Sequence, residues 1–135
     1  MKIVVDSYAW IEIFKASAAG GVAKGRIEES DESFTPDLVL AELAWKYLRE
    51  GEESERIRRW LRSISEATQI VPVDITVAEE SAKAFLELLR VASNRGLPKP
   101  GLADAIILAM ARLRDAKVLT GDRHFEGLSE TSWLA

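Results

Sequence analysis

Short apolar runs, several ending in an acid, alternate along this chain with longer segments of helical periodicity, and this alternation limits the fold more than any other feature. Residues 2–6 read Lys-Ile-Val-Val-Asp, an apolar run without polar alternation, which is the pattern of a strand buried on both faces. Comparable short runs lie at 33–35, at 69–73 before Asp74, at 117–120 and, as a last short strand, at 131–134. Between them, Tyr8, Ile11 and Phe14 recur at helical spacing behind Ser7, a suitable N-cap. A second short helix is expected over 22–29, with 16–21 as a helix–helix connection. Pro36 suits the first turn of a helix whose stripe is Val39, Leu40, Leu43, Ala44, Tyr47 and Leu48, with Gly51 as its stop. Residues 53–67 carry Ile57, Trp60, Leu61 and Ile64 on one face, and 77–93 form a long helix closed by Asn94, Arg95 and Gly96. Two prolines break the chain at 97–101, and 102–113 is apolar nearly all round, as a helix buried on most sides must be. Strands separated by helices require crossover connections, which are right-handed, so the expected fold is α/β: a three-layer sandwich with a mainly parallel central sheet.

Composition sets outer limits. The 135 residues suit a single domain, residues 1–135, with a real core. There is no cysteine, which excludes disulfides, zinc–thiolate sites and thiol nucleophiles and fits a reducing, cytoplasmic setting. No apolar run reaches the roughly 18 residues of a membrane span, and the N-terminal run is too short for a signal-peptide core. The net charge of −4 counts mildly against a nucleic-acid binder, although a cluster of carboxylates would itself supply several of those charges.

Parallel sheets bind ligands beyond the carboxyl ends of their strands. Asp6 ends the first strand and Asp122 lies just past the strand at 117–120. Asp104 falls in the first turn of the buried helix, which a crossover starts at that same edge. Glu42 lies one to two turns into its helix, flanked by Leu38 and Trp45 away from the main stripe. Each acid alone has an ordinary explanation in helix dipoles, turns or solvated faces. Together they would repel one another unless a cation sat among them. Oxygen ligands favour a hard ion, magnesium or manganese, and such ions suit phosphodiester hydrolysis. Thr120 is a candidate to orient a metal-bound water, or is simply a strand-end threonine. His124 reads as a surface loop residue, since nothing in sequence pairs with it.

Read in order, Ile3-Val4-Val5-Asp6-Ser7, the helical Glu42, Leu102-Ala103-Asp104-Ala105-Ile106-Ile107-Leu108-Ala109 and Leu119-Thr120-Gly121-Asp122-Arg123-His124-Phe125 resemble the PIN domain, especially toxins of the VapC type. The resemblance covers essentially the whole chain. It implies an endoribonuclease dependent on Mg2+ or Mn2+, with Asp6, Glu42, Asp104 and Asp122 as its acids, Asp6 and Asp104 most directly tied to metal, and Thr120 and Ser7 at the family's hydroxyl positions. It also implies an RNA substrate, a homodimer and a small cognate antitoxin.

Arg95, Lys99 and Arg123 adjoin the acidic edge and are candidates to hold an RNA backbone. The arginines at 56, 58, 59 and 62 read as a solvated face paired with nearby glutamates. Trp10, Trp45, Trp60 and Trp133 read as core or interface anchors, and Leu38 and Trp45 as candidates for a dimer or antitoxin contact. A phospho-accepting receiver domain shares the layering, but no lysine follows Thr120 and no second acid accompanies Asp6. A non-catalytic module that keeps the fold and binds a partner stays open.

Overall fold

The computed structural model describes residues 1–134. In chain order the elements are β1 (Lys2–Val5), α1 (Ser7–Phe14), α2 (Ala18–Glu29), β2 (Glu32–Pro36), α3 (Asp37–Arg49), α4 (Ser54–Ala67), β3 (Gln69–Val71), α5 (Ile75–Asn94), α6 (Leu102–Leu113), β4 (Lys117–Thr120) and β5 (Thr131–Trp133). A single 3-10 turn, Arg123–Phe125, lies between β4 and β5. The strands form one sheet in the order β3-β2-β1-β4-β5, and every pairing is parallel. This is the expected α/β three-layer sandwich, with the sheet parallel throughout. The chain steps outward from β1 to β3 and then returns to place β4 on the other side of β1. The β1–β4 boundary is therefore the point where strand order reverses, where a crevice opens beyond the strand ends.

The apolar runs account for the sheet. Ile3, Val4 and Val5 of β1 and Val118 and Leu119 of β4 are 0–1% exposed, so both central strands are covered on both faces. Each such side chain contributes about 1.5–3 kcal/mol on burial. Helix α6 packs on β1, β4 and α5, and α3 and α4 lie over β2. Ala105, Ile107, Leu108, Ala109, Met110 and Ala111 of α6 are all buried, which explains its near-continuous apolar sequence.

Three local expectations need correction. Helix α2 begins at Ala18 rather than Val22, capped by the Ser17 hydroxyl, which accepts from the Gly20 N–H at 3.0 Å. The Gly20-Gly21 pair reads as a connection but lies inside the helix. At Gly20 a Cβ would fall 2.1 Å from the Glu12 carbonyl oxygen of α1, so the glycine permits the two helices to touch. Asp6, not Ser7, is the N-cap of α1. The third strand stops at Val71, and Asp74 instead caps α5 by accepting from the Val77 N–H at 2.9 Å. The aromatic residues divide: Trp10 and Trp60 join Phe14 and Tyr47 in one packed group, whereas Trp45 is 60% exposed.

Candidate metal centre

The register of β1 on β4 pairs Val5 with Leu119, and the Asp6 N–H donates to the Leu119 carbonyl at 3.2 Å. Asp6 therefore leaves β1 beside Thr120, and the Thr120 hydroxyl donates to Asp6 Oδ2 at 2.7 Å. The other Asp6 oxygen accepts from the Ser7 N–H at 2.8 Å. Thr120 is fully buried and its oxygen also accepts from the Asp122 N–H at 3.0 Å. The hydroxyl expected to orient a water thus gives its only proton to Asp6 and links it to Asp122.

Gly121 makes this junction possible. A Cβ there would lie 2.5 Å from the Tyr8 ring, which passes over the end of β4 from the first turn of α1. Asp104 occupies the first turn of α6, and its Oδ2 accepts from the Gly101 N–H at 3.0 Å. Asp122 caps the 3-10 turn, its Oδ1 accepting from the His124 N–H at 2.9 Å.

His124 is not the unpartnered surface residue its sequence suggests. The 3-10 turn folds its half-buried ring back so that Nδ1 lies 2.9 Å from Asp122 Oδ1 and Nε2 lies 2.7 Å from the Pro98 carbonyl. Both partners are acceptors, so the doubly protonated ring satisfies both contacts. Desolvation opposes that charge, but the Pro98 carbonyl and Asp122 outweigh it and hold the His124 pKa above its ordinary value. The available signal was the spacing: a residue two positions after an aspartate in an Asx-type turn is brought back to it.

One carboxylate oxygen each of Asp104 and Asp122 and one ring nitrogen of His124 lie within 4.8 Å of one another. Asp6 and Glu42 fall outside that tightest group and are joined to it electrostatically. Asp6 is 3% exposed, and desolvation, with the charges of Asp104 and Asp122 adding to it, pushes its pKa up to about 7 against the lowering effect of Thr120 and Ser7. Desolvation and then the Asp104 charge raise Glu42, although much of its surface remains accessible. Desolvation raises Asp104 as well; the Gly101 N–H opposes this and the Asp122 charge adds to it. Asp104 is thus the centre of mutual repulsion among the four acids. Oxygen donors whose charges repel one another in this way fit a hard divalent cation, which would relieve the repulsion.

The cations are disposed differently. Arg95 is spent on the β4–β5 turn, where Nη1 donates to the Arg123 and Glu126 carbonyls at 3.3 and 2.9 Å and Nη2 to Glu126 Oε1 at 3.0 Å. Lys99 and Arg123 are exposed on the two loops that meet there. On α4, Arg56 pairs with Glu52 at 3.3 Å, as a solvated face would. No helix among the described residues is long and apolar enough to cross a membrane.

Several solved structures share this architecture. A toxin–antitoxin complex from Klebsiella pneumoniae matches with a TM-score of 0.71 at 21% identity, covering 98% of each chain. VapC20 from Mycobacterium tuberculosis, described as a sarcin–ricin loop cleaving toxin, matches with a TM-score of 0.71 at 18% identity, covering 98% of this chain and 99% of that one. VapBC2 from Rickettsia felis, bound to a DNA fragment from its promoter, gives 0.71 at 15% identity over 97% and 96%. At these identities the likeness is one of fold. No curated protein matches the sequence. The sequence does match the PIN domain family from residue 3 to residue 130, and with a match of that extent the chain belongs to the PIN domain family.

Proposed function

We propose that the chain is a metal-dependent endoribonuclease, the toxin of a type II toxin–antitoxin module, acting in the cytoplasm. The observation that carries this reading is the buried Asp6 carboxylate, pushed up to about pKa 7 among further acids at the reversal point of the sheet. Burying a carboxylate in this way costs stability, which a structural role would not require. Asp6, Asp104 and Asp122, with Glu42 beside Asp104, would hold Mg2+ or Mn2+. When bound, such a cation supplies Lewis acidity and offsets the charge of a phosphodiester. Thr120 acts by holding the Asp6 carboxylate in place. Lys99 and Arg123 are the exposed cations best placed to hold the RNA backbone.

Partner surfaces follow from exposed apolar area. A cleft of about 500 Å³ between α1, α2 and α4, lined by Trp10, Ile13, Phe14, Ile27 and Ala67, suits an apolar antitoxin segment. Trp45 and Leu48, 60% and 57% exposed on α3, suit a second copy of the chain. The resemblance to VapC-type toxins supports the two kinds of partner, a second copy and a small antitoxin.

The test is turnover. Purified protein should cleave RNA in Mg2+ or Mn2+ and not in chelator, and Asp104→Asn should abolish cleavage while the far-ultraviolet circular dichroism stays unchanged. Full cleavage in chelator would exclude the metal mechanism. Undiminished cleavage by Asp104→Asn would remove that residue from the site.

A further inference from the structure

The α5–α6 connection and the β4–β5 turn are distant in sequence and joined at two points. The first is Arg95, the C-cap of α5, with its three hydrogen bonds to Arg123 and Glu126. Gly96 follows at φ +66°, which ends the helix and turns the chain toward Pro98. The second is His124, whose Nε2 donates to the Pro98 carbonyl while Nδ1 faces Asp122 Oδ1. Segment 95–101 therefore reaches both members of the tight acidic pair: Asp104 through the Gly101 N–H, and Asp122 through Pro98 and His124.

We propose that Arg95 and His124 form a two-point latch that fixes the Asp122 carboxylate relative to Asp104, both acting as positioning residues for the cation those carboxylates hold. This rests on the metal-dependent reading of the site. A guanidinium with three bonds to one turn is a clamp first, because few of its donors are left for phosphate. The histidine is directed at Asp122, not past it. Oδ1 of Asp122 takes both the backbone N–H and Nδ1 of His124 at 2.9 Å, which leaves Oδ2 for an ion. Carboxylates that hold a metal are themselves commonly fixed by outer-shell hydrogen bonds, and the His124 ring supplies one here.

The test uses Arg95→Ala, Arg95→Lys, His124→Phe and the Arg95→Ala/His124→Phe double variant. In metal-free protein, amide exchange in residues 97–101 and 122–127 should accelerate several-fold in each single variant, with the urea midpoint of the whole chain little changed. Mn2+ affinity should fall by about 10-fold in each, the scale of outer-shell substitutions, and the double variant should lose less than the product, since both act on one turn. Arg95→Lys should resemble Arg95→Ala, because one ammonium cannot replace the fork. Unchanged exchange in the metal-free variants would overturn the latch. A directly bonded nitrogen coupling in the pulsed electron paramagnetic resonance of bound Mn2+, lost in His124→Phe, would make His124 a ligand instead. A salt dependence of RNA binding reduced by about one unit in Arg95→Ala would make Arg95 a phosphate contact. Absence of Mn2+ binding by the unsubstituted chain would sink the metal reading itself, a result separable from the exchange measurement.

Discussion

Asp6→Asn should stabilise the metal-free protein at alkaline pH. The folded-state pKa of Asp6 is about 7 against an ordinary 3.8, a rise of roughly three units at about 1.4 kcal/mol each. Below pH 3.8 both folded and unfolded chains hold the proton and Asp6 costs nothing. Between 3.8 and 7 the unfolded chain releases its proton while the folded chain keeps it, so stability falls as pH rises. Above 7 the loss is complete, at most about 4 kcal/mol. With only 3% of Asp6 exposed, solvent screening removes little of this. Asparagine keeps an oxygen for the Ser7 N–H and a polar group against Thr120, so its own cost is small. The expected gain in chelator is therefore about 2–4 kcal/mol at pH 8 and near zero at pH 4. Urea denaturation followed by tryptophan fluorescence, with the wild-type curve subtracted at each pH, cancels the contribution of acids that do not interact with Asp6. Saturating Mn2+ should reverse the order, because an ion bound only by the folded wild type stabilises it by mass action. An Asn variant less stable than wild type at pH 8 in chelator, or a difference flat with pH, would refute the reasoning.

Two further substitutions probe the frame around the site. Thr120→Val keeps the shape but removes the proton given to Asp6 and the acceptor of the Asp122 N–H; it should cost about 1.5–3 kcal/mol and, by raising Asp6 further, move the pH midpoint of Mn2+ binding upward. Calorimetric titration across pH checks this, and an unmoved midpoint would contradict it. Gly20→Ala should destabilise by about 1–3 kcal/mol despite alanine's higher helix propensity, since its Cβ would meet the Glu12 carbonyl at 2.1 Å. A rise in urea midpoint would show that α1 and α2 separate without cost.

What the sequence made legible was what depends on period. The apolar runs of β1 and β4 and the all-round apolar α6 signal burial on both sides, and a parallel α/β sheet is how a short chain achieves that. Strand-end acids then fall on one edge by topology alone. The illegible features were set by contacts between distant segments. Gly20 looks like a break because helix propensity is a local quantity, whereas its role is an approach to Glu12. Arg95 looks like a free loop cation because Glu126, its partner, is distant in sequence. His124 looks solitary in sequence because the distance from Nε2 to Pro98 is a tertiary fact.

The same distinction explains how a chain of net charge −4 keeps a buried carboxylate. Ile3, Val4, Val5, Val118 and Leu119 flank Asp6 in the two central strands and are all fully or almost fully buried. Their burial holds the two strand ends together around the acid. Thr120 and Ser7 hold both of its oxygens. Here the charges of Asp104 and Asp122 add to desolvation in keeping the proton on Asp6, so a divalent cation and that proton compete for the same site. Metal affinity should consequently rise with pH through the region of pH 7, and the free energy withheld from the metal-free fold is recovered when the cation binds.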